Sequence, residues 1–354
     1  MVESTCTRMA LGGMYDQLGG GFHRYSVDEH WFVPHFEKML YDQAQLAWAY
    51  LEAFQITHDV QYAEVARAIF QYVGRDLMHP DGGFYSAEDA DSVIDPAHPH
   101  DKGEGAFYIF SKEEIDRTLG DSAAFCSRFG VKAAGNVDND PHGEFTGKNI
   151  LYQAGPEYDC ASDVAKILEL RSTKPRPHLD DKILTAWNGL MISDFAKGAQ
   201  VLGDPTLAGV ARRALNFLRQ NLWQEGKLLR RWRNGESAID AFLDDYAFLI
   251  LSLLDMYETT FDRRDLEWAL ELAEIAIAKF EDADGGFFST PDGQSDLVMR
   301  LKDDYDGAEP SGNSAMVYAL ARIARMTGAT DARGAVERAL ESFSGRLRST
   351  GPGL

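Results

Sequence analysis

Two near-identical hexapeptides, DGGFYS at 81–86 and DGGFFS at 284–289, constrain this chain more than any other feature. Each follows an amphipathic helical stretch, and self-similarity at long spacing is the mark of a repeated supersecondary unit. Four apolar helices share one register: Asp42-x-Ala44-x-Leu46, Asn188-x-Leu190-x-Ile192, Asp245-x-Ala247-x-Leu249 and Asn313-x-Ala315-x-Val317. An acid or amide therefore stands at the same point of each. The interval from Asp42 to Asn188 is about twice the others, which leaves room for one degenerate unit in the irregular middle. Two antiparallel helices and a loop, repeated, build a solenoid or a closed ring. In a ring the inner helices touch neighbours on both sides and are the more apolar. ALARIARMTG and DYAFLILSLLDMY alternate in this way with RRALNFLRQNLW and RRDLEWALELAEIAIAKF. The pattern predicts an all-α helical-hairpin toroid with long loops gathered at one end.

Punctuation places the elements. Pro34 disfavours helix before it, so the spacing predicts a loop that becomes a helix at His35 and runs to residue 57. Further helices are expected over 2–12, 60–78, 159–172, 180–202, 205–223, 239–260, 263–281, 312–327 and 331–347. GAFYIF (105–110) reads as a strand, Ser111 with Glu114 as a capping box, and residues 225–237 as a β-hairpin turning near Asn234-Gly235. Residues 130–158 read as irregular. No βαβ alternation occurs, which excludes a Rossmann-type sheet.

Charge and composition remove whole function classes. Fifty-six acids against 35 bases leave a net charge of −21, which argues against a nucleic-acid or anionic-membrane partner. No apolar run approaches the ~20 residues that cross a bilayer, and MVESTCTRMALGG lacks a signal-peptide core, so a soluble cytoplasmic protein is expected. Three scattered cysteines contain no CxxC, and the acids of SAEDADS (86–92) lack calcium-loop order; neither a metal nor a cofactor is expected.

The candidate site centres on HRYSVDEHWFVPHFEKMLYDQ (23–43), which follows Gly19-Gly20-Gly21. Helical spacing would stack His35, Lys38 or Met39, and Asp42 on one face, Asp181, Thr185 and Asn188 on another, and Glu309, Asn313 and Met316 on a third. Converging in a ring, such faces hold the carboxylates, imidazoles and amides that sugar hydrolysis or isomerisation needs. The acid/base candidates are Glu37 or Asp42 with Asp181, and His35. Arg24 and Asn188 are the expected substrate holders, with His23, Tyr25, Glu88, Asp89, Asp245, Glu309 and Asn313 completing the lining. The glycines would let backbone approach a ligand. Trp31, Trp187, Trp232 and Tyr305 are candidate stacking platforms, though aromatic side chains are more often core. Asp and Asn near helix starts also serve as caps, so each of these residues has a structural alternative.

GGMYDQLGGGFHRYSVDEHWFVPHFEKMLYDQAQL (12–46), GEGAFYIF (103–110), HLDDKILTAWNGLMI (178–192), FLDDYAFLI (242–250) and EPSGNSAM (309–316) resemble the blocks of one family. It is the thioredoxin-domain-fused family of the YyaL and spermatogenesis-associated type. The resemblance implies an (α/α)6 barrel akin to six-hairpin glycosidases and N-acylglucosamine 2-epimerases, preceded by a thioredoxin-like domain. It implies that residues 1–354 are a single barrel domain, incomplete at the C-terminus and without that N-terminal domain. The epimerase relatives use paired histidines, for which His23 and His35 are the nearest candidates. Two functions follow as expectations. One is a carbohydrate-active enzyme, a sugar hydrolase or epimerase-like, with an acidic central cavity and a sugar-like substrate. The other is a non-catalytic ligand- or protein-binding module that works beside a thioredoxin-like domain.

Overall fold

The computed structural model describes residues 2–140, 143–293 and 298–350. The irregular stretch expected over 130–158 therefore includes two residues, 141 and 142, outside the described ones. Twelve α-helices dominate the described residues, and the strands are short. The chain divides into two compact units, one of Met1–Leu77 with Ser86–Asp180 and one of Met78–Tyr85 with Asp181–Leu354.

The first unit holds α1 (Val2–Leu11), α2 (Leu40–Thr57), α3 (Val60–Tyr72), α4 (Lys112–Leu119), α5 (Ala123–Arg128) and α6 (Ala161–Ser172). α2 and α3 form a hairpin: His58 takes a left-handed conformation and Asp59 caps α3 by accepting from Gln61 N. The capping box of Ser111 and Glu114 opens α4, with both reciprocal bonds made. The expected strand at 105–110 is instead a turn. Gly105 has φ +68°, and a Cβ there would lie 2.6 Å from the Phe36 ring. Phe107, Tyr108, Ile109 and Phe110 are all buried, so this apolar run fills a core as a turn and not as a strand.

The helix expected from His35 begins five residues later. Pro34–His35 pairs with Tyr25–Ser26, and Lys38–Met39 pairs with Ala87–Glu88, which in turn pairs with Leu179–Asp180. Asp28 organises the intervening loop by accepting from His30 N and Phe32 N at Oδ1 and from Val33 N at Oδ2. His35, Lys38 and Asp42 therefore do not share a helical face, because side chains alternate along extended backbone.

The second unit holds α7 (Thr185–Val201), α8 (Pro205–Asn221), α9 (Leu243–Thr260), α10 (Arg263–Phe280), α11 (Gly312–Thr327) and α12 (Thr330–Thr350). α7 packs on α8 and α9, α9 on α10 and α11, and α11 on α12. Twelve of 17 residues are buried in α7 against five of 17 in α8, and twelve of 18 in α9 against seven of 18 in α10. Apolar helices thus alternate with amphipathic ones, as the sequence pattern requires. Gly189 lets α7 and α9 approach: a Cβ there would sit 2.7 Å from the Phe248 carbonyl carbon. The expected hairpin is present as Lys227–Arg233 paired with Glu236–Asp240 around Asn234-Gly235, and Ile183–Leu184 adds to its free edge. That added strand delays α7 to Thr185, so Asp181, Thr185 and Asn188 are not one helical face.

The DGGF repeat has a structural meaning. Asn188 Oδ1 accepts from Phe84 N at 2.8 Å while its Nδ2 donates to Phe84 O at 3.0 Å. Asn313 does the same to Phe287 N and O, at 2.8 and 2.9 Å. In the first unit Gln43 repeats the clamp on Phe22, at 2.9 and 2.7 Å. Phe22 follows Gly20-Gly21, so this GGF is a third copy, and the register residue of α2 is Gln43 and not Asp42. The glycines serve packing: a Cβ on Gly20 (φ +74°) would meet Ala68 O at 2.7 Å, and one on Gly21 (φ +75°) the Tyr72 ring at 2.6 Å. They bring backbone close to α3, not to a ligand as the sequence suggested.

Candidate functional site

In the first unit the extended pairing sets Tyr25 and His35 side by side, their rings stacked with centroids 4.9 Å apart. His35 Nδ1 lies 2.7 Å from Glu104 Oε1 and His35 Nε2 lies 3.7 Å from Glu37 Oε2. Arg24 Nη1 donates to the same Glu37 oxygen at 2.9 Å. An imidazole held between two carboxylates, partly open to solvent, is an arrangement that relays protons. Glu104 escaped the sequence reading although its block was noted, because sixty-nine positions separate it from His35. His23 lies apart from this group: buried, it stands edge-on to Phe36 and Tyr108, with Nδ1 2.9 Å from Phe36 O. Burial, and then the Lys38 charge, push its pKa down to about 3, against the pull of Asp16. Asp42 lies in the first turn of α2, where the helix dipole favours a carboxylate. Glu88 is buried and accepts from Tyr72 and Arg176. Asp89 turns the chain by accepting from Asp91 N.

In the second unit Asp181 accepts from Arg233 Nε at 2.5 Å. Asp245 is fully buried, accepting from Ala186 N, Phe242 N and Arg230. Burial and the adjacent Asp244 carboxylate push its pKa up, and the Arg230 guanidinium opposes them. Asn188 and Asn313 are occupied by the clamps described above. Trp232 packs between His79 and Phe217.

The open chemistry of this unit lies in a cavity of about 390 Å³ lined by Phe242, Asp244, Ser289, Tyr305, Glu309 and Ser311 among others. Glu309 Oε1 accepts from Trp187 Nε1 at 2.7 Å. Burial raises the Glu309 pKa; the Trp187 hydrogen bond opposes this and the Asp244 charge adds to it. Asp244 is held through both oxygens by Arg230 Nη1, at 2.9 and 3.0 Å. Tyr305 is largely exposed beside them. Asp244 was missed because the helical register singles out its neighbour Asp245, which is the buried member of the doublet. Among the described residues no group of three or more His, Cys, Asp or Glu side chains is gathered as a metal site. None of the described helices is long and apolar enough to cross a membrane.

The fold is of the (α/α)6, six-hairpin type. Cellobiose 2-epimerase from Spirochaeta thermophila superposes with a TM-score of 0.58 at 11% identity, covering 99% of this chain and 72% of the epimerase. A glycoside hydrolase family 76 mannosidase from Bacteroides thetaiotaomicron superposes with a TM-score of 0.54 at 12% identity, covering 96% and 70%. At the level of sequence the chain is similar to human spermatogenesis-associated protein 20, with 39% identity over 98% of its length. It spans about half, 49%, of that relative. No protein-family model matches the chain.

Proposed function

We propose that this chain carries a carbohydrate-processing site whose chemistry is glycosidic hydrolysis or an epimerase-like proton transfer. The observation that carries the reading is the pair Glu309 and Asp244, two carboxyl groups on one cavity, one held by Trp187 and the other by Arg230. Burial shifts Glu309 toward its protonated form, and Arg230 Nη1 donates to both oxygens of Asp244. In hydrolysis Glu309 would protonate the leaving oxygen, and Asp244 would orient water or bear the developing charge. In epimerisation the same two groups would pass a ring-carbon proton out and back. Trp187 fixes the Glu309 carboxyl, and the exposed Tyr305 ring offers a face on which a sugar stacks. The solved relatives of this fold support the substrate class, being named for cellobiose epimerisation and mannoside hydrolysis. In the other unit His35, between Glu37 and Glu104, offers a separate proton relay.

The test is turnover on a panel of cellobiose, mannosides and unsaturated glucuronides. Glu309→Gln should lower kcat at least ~100-fold with little change in KM, the usual contribution of a positioned proton donor. In the parent chain the rate should fall as pH rises through the raised Glu309 pKa, because only the protonated form donates. Full turnover in both Glu309→Gln and Asp244→Asn would remove this reading.

A second reading has its own support. Asp181, Asn188, Asp245 and Asn313 are committed to arginines and backbone, as befits a scaffold. In that case the chain is a binding module that works beside a thioredoxin-like domain of a longer protein. Sugar binding without turnover in the parent chain would favour it.

A further inference from the structure

We propose that a second cavity, within the unit of residues 1–77 and 86–180, binds a small molecule through a phosphate or carboxylate group. The cavity holds about 360 Å³. Four cations line it, Lys38, Arg75, Arg171 and Arg176, against three acids, Asp16, Asp76 and Glu88. That balance reverses the excess of the whole chain, where 56 acids face 35 bases.

The hydrogen bonding decides which ligand fits. Every carboxylate oxygen on the cavity is already engaged. Asp16 Oδ1 accepts from Leu18 N, Gly19 N and Arg171, and its Oδ2 from Lys38 at 2.9 Å. Asp76 accepts from Arg176 at one oxygen and from Arg75 at the other. Glu88 accepts from Arg176 at 2.6 Å and from the Tyr72 hydroxyl at 2.8 Å. Donors, by contrast, are in surplus. Arg75 uses Nε and Nη2, and Arg176 uses Nη1 and Nη2, which leaves Arg75 Nη1 and Arg176 Nε without an acceptor among the described residues. The Tyr108 hydroxyl, on a side chain only 7% exposed, makes no hydrogen bond among them either.

A cation would face four like charges here, whereas an oxyanion would meet fixed donors that are not yet used. Those donors are preorganised. Arg171 lies 5.2 Å from the Phe107 ring centroid and Arg176 5.5 Å from it, so the guanidinium planes are held before any ligand arrives. The volume exceeds that of a bare phosphate and lies in the range of small-molecule pockets, so the oxyanion is one end of a larger ligand.

Isothermal titration of the full chain with inorganic phosphate, glucose 6-phosphate, glucuronate and glucose tests the proposal and separates the phosphate from the carboxylate source. At least one oxyanion should bind, and glucose should not. Tyr108→Phe removes a hydroxyl without a partner, so it should leave the melting temperature unchanged while weakening the oxyanion about fivefold or more. Arg75→Ala alters a half-exposed side chain and should weaken it at least as much. No heat from any oxyanion at millimolar concentration, with the chain folded, would overturn the proposal. So would affinities unchanged in both variants, which would leave the charges as cement within the unit.

Discussion

His23 shows how little a residue type says before its surroundings are known. In the sequence it stands in HRY after three glycines and looks like a ligand-facing imidazole. In the fold it is buried with its pKa pushed down to about 3, so it stays neutral across the physiological range. The consequence for stability has a definite sign. In the unfolded chain the imidazole takes up a proton near pH 6.5, and in the folded chain it resists. Its contribution is full above pH 6.5 and is lost as pH falls from there toward 3, by up to ~1.4 kcal/mol per pH unit. Urea unfolding from pH 7 to 4.5 should therefore show a decline that His23→Phe flattens. An equal slope in parent and variant would mean that His23 is protonated in the fold. Lys38, Asp16 and Arg171 carry the same lesson: Lys38 reads from sequence as part of a helical face turned to a site, yet it is buried 2.9 Å from Asp16.

Among the elements, the amide clamp is what the DGGF repeat encodes. Each clamp satisfies the backbone N–H and C=O of one phenylalanine in a glycine turn, groups that are costly to bury unpaired. The recurrence of DGGF and of Asn188 and Asn313 was legible because repeats are legible. That Gln43, not Asp42, holds the third copy was not, because its loop reads GGGF and lacks the leading Asp. Asn313→Ala should cost about 2 kcal/mol or more in denaturant unfolding, since it deletes bonds to Phe287 N, Phe287 O and Asp303 O in a buried setting. A change under ~0.5 kcal/mol would show that water replaces the amide there. Helix starts were misplaced by about five residues at α2 and α7 for one reason. The short extended pairings before them are made with Ala87–Glu88 and with Lys227–Arg233, partners far along the chain.

For the molecule as a whole, net charge sets a solution property. With a charge of −21 the folded chain repels itself, and salt screens that repulsion. The melting temperature should rise between ~10 mM and ~200 mM sodium chloride, because exposed ion pairs are worth too little to reverse the trend. A falling melting temperature would mean that the ion-pair networks outweigh the net repulsion. The chain also spans about half of its sequence relatives, so the activity tests above address this portion of such a protein.

What the sequence determined by itself was periodic and local: helices alternating between apolar and amphipathic, the Asn234-Gly235 hairpin, the capping box at Ser111, and the repeat. These follow from the order of residues along the chain, through interactions that act within a few residues. Only the tertiary structure decided which acids are engaged and which are open. Asp245 and Asp244 are adjacent in sequence, yet one is sealed against Ala186 and the other lines a cavity with Glu309. Likewise Trp187 and Glu309 meet across more than a hundred residues. A carboxyl's proton affinity is set by burial and by the charges beside it, and both are properties of the fold, not of the chain order.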